Sequence, residues 1–134
     1  SISHDAHHKH SYYVIRNSEW LLGFTQHEIE LIAQIARYHR KSAPKSKHAE
    51  HAALSADDKR MVATLAGLLR VAIGLDRTHA QVVRSVRCED GGDELRIVLD
   101  IARGADPSLE RYVADERKGL LESTLGTTVS LVVA

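Results

Sequence analysis

Apolar residues recur three and four positions apart through the first part of the chain and every second position through much of the rest. The hydrophobic pattern therefore changes period once, from helical to extended. Over residues 6–17, Tyr13 and Val14 stand at helical spacing from His10 and predict a first helix, after which a loop closes at Gly23. Thr25 with Glu28 three residues on is a capping-box pair, and it opens a second helix that should run to about Lys41. Along it Ile29, Ile32, Ala33 and Ala36 make one apolar stripe and Leu31, Ile35 and Tyr38 another, which predicts a helix buried between neighbours. Residues 42–54 hold Pro44, two serines, two lysines and two histidines, with no large apolar side chain before Leu54, and read as an exposed loop. Ser55 and Asp58 form a second capping pair ahead of Met61, Val62, Leu65, Leu68, Leu69, Ala72 and Ile73, a helix extending to about Arg77.

After His79 the alternation takes over. Val82, Val83 and Val86 lead into the turn signal Glu89-Asp90-Gly91-Gly92-Asp93, and Leu95, Ile97, Leu99 and Ile101 then recur at every second position, with polar residues between them except at Val98, as in a hairpin with one buried face. Asp106-Pro107 begins a further helix whose apolar face, Leu109, Val113, Leu120 and Leu121, continues to Gly126, and residues 128–133 read as a last strand. The expected fold class is α+β: an all-α helical domain over residues 1–78, then a small strand-strand-helix-strand lobe over residues 79–134.

Charge sharpens this division. The chain is neutral overall, yet residues 1–78 carry 11 Lys and Arg against 8 Asp and Glu, and residues 79–134 carry 7 against 10. Eight of the nine histidines lie in the first 51 residues. No apolar run approaches the ~20 residues of a membrane helix, so no membrane partner is expected. A single cysteine, Cys88, excludes an internal disulfide and favours the cytoplasm. The first residues, Ser1-Ile2-Ser3-His4-Asp5, have neither an initiator Met nor a secretory pattern and suggest part of a longer polypeptide.

Histidines beside fixed cations suit a metal ion or an anion. For a metal, His7 and His10 would converge with His39, with Asp5 and Asp76 as the nearest carboxylates; Lys9, Arg37, Arg40 and Lys41 would repel the ion. For a phosphate-rich anion the same cations are the attraction. Lys9, His10, Arg16, Arg37, His39, Arg40 and Lys41 are the candidate phosphate-binding residues, and the segment after them adds Lys45, Lys47, His48 and His51. Arg40 and Lys41 also suit a helix's last turn through its dipole, and Tyr13 and Tyr38 read as core residues rather than stacking platforms. Aromatic residues are only 4% of a chain without net positive charge, which argues against sequence-specific nucleic-acid binding. Cys88 among acidic neighbours and Ser11 beside His10 make no nucleophile, and Gly91-Gly92 belongs to the hairpin rather than to a phosphate loop.

The stretches His8-Lys9-His10-Ser11-Tyr12-Tyr13-Val14-Ile15-Arg16-Asn17-Ser18, Leu22-Gly23-Phe24, Arg37-Tyr38-His39-Arg40-Lys41 and Leu68-Leu69-Arg70-Val71-Ala72 together resemble the C-terminal region of the exopolyphosphatase and guanosine pentaphosphate phosphatase family. The resemblance covers almost the whole chain and is strongest from His8 to Arg77. It implies a helical domain related to the HD phosphohydrolases, with a small α+β lobe after it. It also implies that hydrolysis, with its magnesium, belongs to N-terminal actin-like domains outside this sequence, and that this region alone needs no cofactor and is inactive. His10 and His39 are similar in position to later HD histidines, while Ile73 stands where the family of HD enzymes has a final metal carboxylate, and only Asp76 and Arg77 match the rest of that segment. The leading expectation is an accessory module that binds polyphosphate or guanosine pentaphosphate, passes it to the actin-like domains and supports a homodimer. Two alternatives are a metal-dependent HD phosphohydrolase using His10 and His39, and a purely structural dimerisation domain.

Overall fold

The structure, a computed structural model, describes residues 7–19, 21–40 and 42–134, the side chains of His7 and His8 excepted. These residues form a mixed α/β chain with six helices and one three-stranded sheet: α1 (His7–Arg16), α2 (Gln26–Tyr38), α3 (Ala49–Ala52), α4 (Ala56–Leu75), β1 (Val83–Asp90), β2 (Glu94–Ile101), α5 (Ser108–Glu116), α6 (Gly119–Leu125) and β3 (Thr128–Val133). The chain gathers into two compact units, one ending at Ala66 and the other spanning Gly67–Ala134, so the boundary falls inside α4. The change of hydrophobic period near residue 78 marks instead the end of that helix.

In the first unit α1 packs on α2. α1 buries Tyr12, whose hydroxyl donates to Glu30 Oε1 at 2.9 Å, and leaves Tyr13 and Val14 exposed. The buried face is thus displaced by one residue from the face that the spacing after His10 suggests. α2 starts as its capping box requires, with Thr25 Oγ1 accepting from Glu28 N at 3.0 Å and Glu28 Oε1 accepting from Thr25 N at 2.9 Å. It buries Ile29, Leu31, Ala33 and Tyr38, and also Gln34 and Arg37. Gln34 ties the next segment to this helix: its Nε2 donates to the Glu50 carbonyl at 3.0 Å, and its Oε1 meets His51 Nδ1 at 3.3 Å. The segment expected to be an exposed loop consequently contains α3 and is half-buried at Ser42, Pro44, His48, Glu50 and His51, held by hydrogen bonds and by ring contacts of His48 and His51 with Tyr38. At the head of α4, Ser55 Oγ accepts from Asp58 N at 3.1 Å, while the Asp58 carboxylate reaches His27 Nε2 at 2.8 Å.

The second unit is a sheet covered by helices. β2 is central, antiparallel to β1 and parallel to β3, with α5 and α6 as the crossover that a parallel pair needs. Ile97, Leu99, Val129 and Leu131 point from the sheet into a core completed by Val71, Ala114 and Leu121. The hairpin obeys its turn signal: Gly91 N donates to the Glu94 carbonyl at 2.9 Å, and Gly92 takes φ +83°, a region glycine enters without penalty. The single helix expected after Pro107 is instead two, separated at Arg117 and Lys118. Lys118 explains the break, because its ammonium donates to the Val129 carbonyl at 2.8 Å and meets Asp115 at 2.8 Å, tying the corner to β3. α4 forms where its spacing places a helix. Met61, Leu65, Leu68, Leu69 and Ile73 are exposed, and the buried side is Val62, Ala66, Gly67, Val71 and Gly74. A β-carbon on Gly67 would stand 2.9 Å from the Leu121 backbone and one on Gly74 2.9 Å from that of Ala114, so the two glycines mark where α4 and the α5–α6 pair approach most closely.

Candidate functional site

The last turn of α2 meets α1 and residues 42–50 around a cleft of about 550 Å³. α1 contributes Lys9, Tyr12 and Tyr13, α2 contributes Arg37, the connecting segment contributes Ser42, Lys45, Lys47 and His48, and α3 contributes Ala49 and Glu50. Four cations face one carboxylate. All belong to the first unit, and each is set by local structure: Lys9 lies one turn before Tyr13 on α1, Arg37 one residue before the buried Tyr38, and His48 is the N-cap residue of α3.

Arg37 is the anchor of this surface. It is only 7% exposed, its guanidinium lies 5.3 Å from the Tyr38 ring centroid, and its Nη1 is 3.7 Å from Glu50 Oε2. Its Nε is buried with no hydrogen-bond partner among the described residues. A buried donor left unpaired costs about 1–3 kcal/mol, a deficit that an anion oxygen would remove. Tyr38 holds His48 in place. The Tyr38 hydroxyl is 2.7 Å from His48 Nδ1, and the two rings stack at 5.6 Å with 19° between their planes.

The field in the cleft is visible in its titrating groups. Burial holds the His48 imidazole below its ordinary pKa, and Arg37, Lys47, Lys45 and His51 push it the same way. His51 is likewise lowered by burial and by Lys59 and Arg37. Tyr12 is pushed up to about 12, first by burial and then by its hydrogen bond to Glu30 and the charges of Glu30 and Glu50. Burial also raises Tyr38, against the opposing charge of Arg37. Both phenols therefore stay protonated at neutral pH, and both histidines resist becoming cations. Guanidinium, ammonium, imidazole and hydroxyl donors converging on one opening are the chemistry of phosphate recognition.

Of the residues chosen from sequence, Lys9 and Arg37 line the cleft. His10 is exposed on α1, and Arg40 is exposed beyond α2, neither in the lining. Arg16 turns to α2, donating to Gln26 Oε1 at 3.0 Å and lying 3.9 Å from Glu30. His39 is half-buried with Nδ1 against the Ala36 carbonyl. Lys41 and Asp5 lie outside the described residues, as does the side chain of His7. Among the described residues no three His, Cys, Asp or Glu side chains are grouped to hold a metal. Tyr13, expected in the core, is 58% exposed on the cleft rim, its ring 5.5 Å from that of Tyr12 at 80°. Lys45, Lys47 and His48 stand in the lining although spacing assigns them only a supporting place; Lys-x-Lys-His directly before a helix is the signal that points to them.

The class of the chain follows from a family match rather than from the cleft, and it is an accessory domain of a phosphatase family. The family model for Ppx/GppA phosphatase, domain III, matches residues 1–113, and the chain belongs to that phosphatase family. No curated protein matches the chain. No helix among the described residues is long and apolar enough to cross a membrane.

Proposed function

We propose that this domain binds polyphosphate, or the phosphates of guanosine pentaphosphate, in the cleft around Arg37 and presents them to the catalytic actin-like domains of its family. The observation that carries this reading is the buried Arg37 with an unpaired Nε, opening among Lys9, Lys45, Lys47 and His48. Family membership supports the polyanion as ligand. Hydrolysis and its magnesium then belong to the actin-like domains, and this region acts by holding substrate. Residues 1–78 correspond, on this reading, to the HD-like portion, with the metal function lost at Ile73 in α4. The exposed Cys88 thiol is in keeping with the cytoplasm.

The test is polyphosphate binding at rising salt. Lys45→Ala with Lys47→Ala removes two exposed charges without touching the core, and should weaken binding by about tenfold at low salt and flatten its salt dependence. Unchanged affinity in the double variant rejects the cleft.

Assembly is the second part of the proposal. Leu68, Leu69 and Ile73 are exposed on one side of α4, an apolar strip suited to a second copy. Leu69→Glu should convert a dimer to a monomer in sedimentation; a dimer that survives the change places the interface elsewhere.

A further inference from the structure

We infer that His48 is the proton-linked ligand of the cleft: a phosphate-rich anion seats against it as the imidazolium, and each binding event takes a proton from solvent onto that ring. The inference rests on the anion-binding reading of the cleft and adds a named residue and a stoichiometry to it.

Geometry is the first support. His48 occupies the N-cap position of α3, yet its side chain makes no capping hydrogen bond there. The ring instead lies stacked on Tyr38, which is fully buried, with Nδ1 2.7 Å from the phenol oxygen. With the phenol kept protonated by burial, the tautomer that carries its proton on Nε2 lets Nδ1 of neutral His48 accept from it. With a proton at Nδ1 the ring donates and the phenol oxygen accepts. The same contact therefore serves both charge states, and the imidazole keeps its position on protonation. Nε2 has no partner among the described residues and is the nitrogen left for an anion oxygen.

Charge is the second support. The groups facing the ring are Arg37 and Tyr38 from α2, Lys45 and Lys47 from the connecting segment, His51 and Glu50 from α3, and Lys9 from α1 across the cleft. Without an anion, burial first and then the neighbouring cations oppose a further positive charge on the ring, which keeps His48 neutral at physiological pH. A polyphosphate segment brings several negative charges against those same cations and inverts the balance, so the loaded cleft favours the imidazolium. The affinity of His48 for a proton is higher in the loaded state. Anion binding is therefore strongest at low pH, weakens as pH rises through the empty-state and then the loaded-state pKa, and levels off above.

Cyclic trimetaphosphate is the probe, because its phosphates carry no weakly acidic proton and its charge stays fixed through the neutral range. Calorimetry from about pH 5 to about pH 8, in two buffers with different ionisation heats, reads proton uptake directly. The expected result is uptake of up to one proton per ligand and an affinity that falls by on the order of tenfold across the range. His48→Gln, which keeps a polar side chain beside Tyr38, should bind with no uptake and little pH dependence. The His48 ring carbon resonance in the unmodified protein should shift toward the imidazolium position when the probe is added, which checks the assignment without a variant. Binding with equal heats in both buffers, or uptake that persists in His48→Gln, overturns this inference and leaves the anion site standing. No binding at any pH overturns both.

Discussion

Arg37 carries two costs, a nearly buried charge and an Nε unpaired among the described residues. Its ion-pair partner Glu50 is 3.7 Å away and substantially solvated, so the pair itself contributes little to stability. Arg37→Met keeps most of the buried stem and removes both the charge and the orphan donor. We expect thermal unfolding to change by less than about 1 kcal/mol, or to improve, while polyphosphate binding is lost. A large loss of stability with intact binding would make Arg37 a structural residue. Gln34 shows how little of this scale is visible in a sequence. A glutamine on a helix is ordinarily solvated, but here both ends of its amide bond α3 and its exposure is only 1%. The partners lie 16 and 17 residues away, beyond any local pattern.

Elements are legible in the sequence where their causes are local. The Thr25–Glu28 box and the Asp90–Gly92 turn involve neighbours within three residues, and both form as read. The alternation of Leu95, Ile97 and Leu99 marks the inner face of β2 because a strand has only two faces. α4 is harder, since its apolar residues encircle it and spacing alone cannot say which side meets a neighbour. Met61, Leu65 and Leu69 look like a core stripe and are exposed; Gly67 and Gly74, one heptad apart, are the true sign of the packed side. A methyl group at either glycine meets backbone atoms, which cannot rotate away. Gly67→Ala and Gly74→Ala should each destabilise the second unit by about 1–3 kcal/mol in denaturant unfolding, despite alanine's better helix propensity. Stabilisation by either change would contradict the close approach. The cleft is half legible for the same reason. Lys9 and Arg37 can be found as charges near helix positions, whereas Arg16 and His39, chosen on the same ground, are turned to partners on α2.

At the scale of the whole molecule, the cationic cleft and the sheet's apolar core belong to different units. The cationic cleft lies among residues 9–50, and the largest apolar cluster lies wholly in Gly67–Ala134. The parallel pairing of β3 with β2 has its own consequence for synthesis. Val129 and Leu131 complete the core, and their strand is the last of the three to leave the ribosome. Until then β2 has one edge unpaired and its apolar face uncovered, a state prone to pairing with other chains. The nascent chain can close its hairpin early, but its sheet must wait for two helices and a strand still to be made.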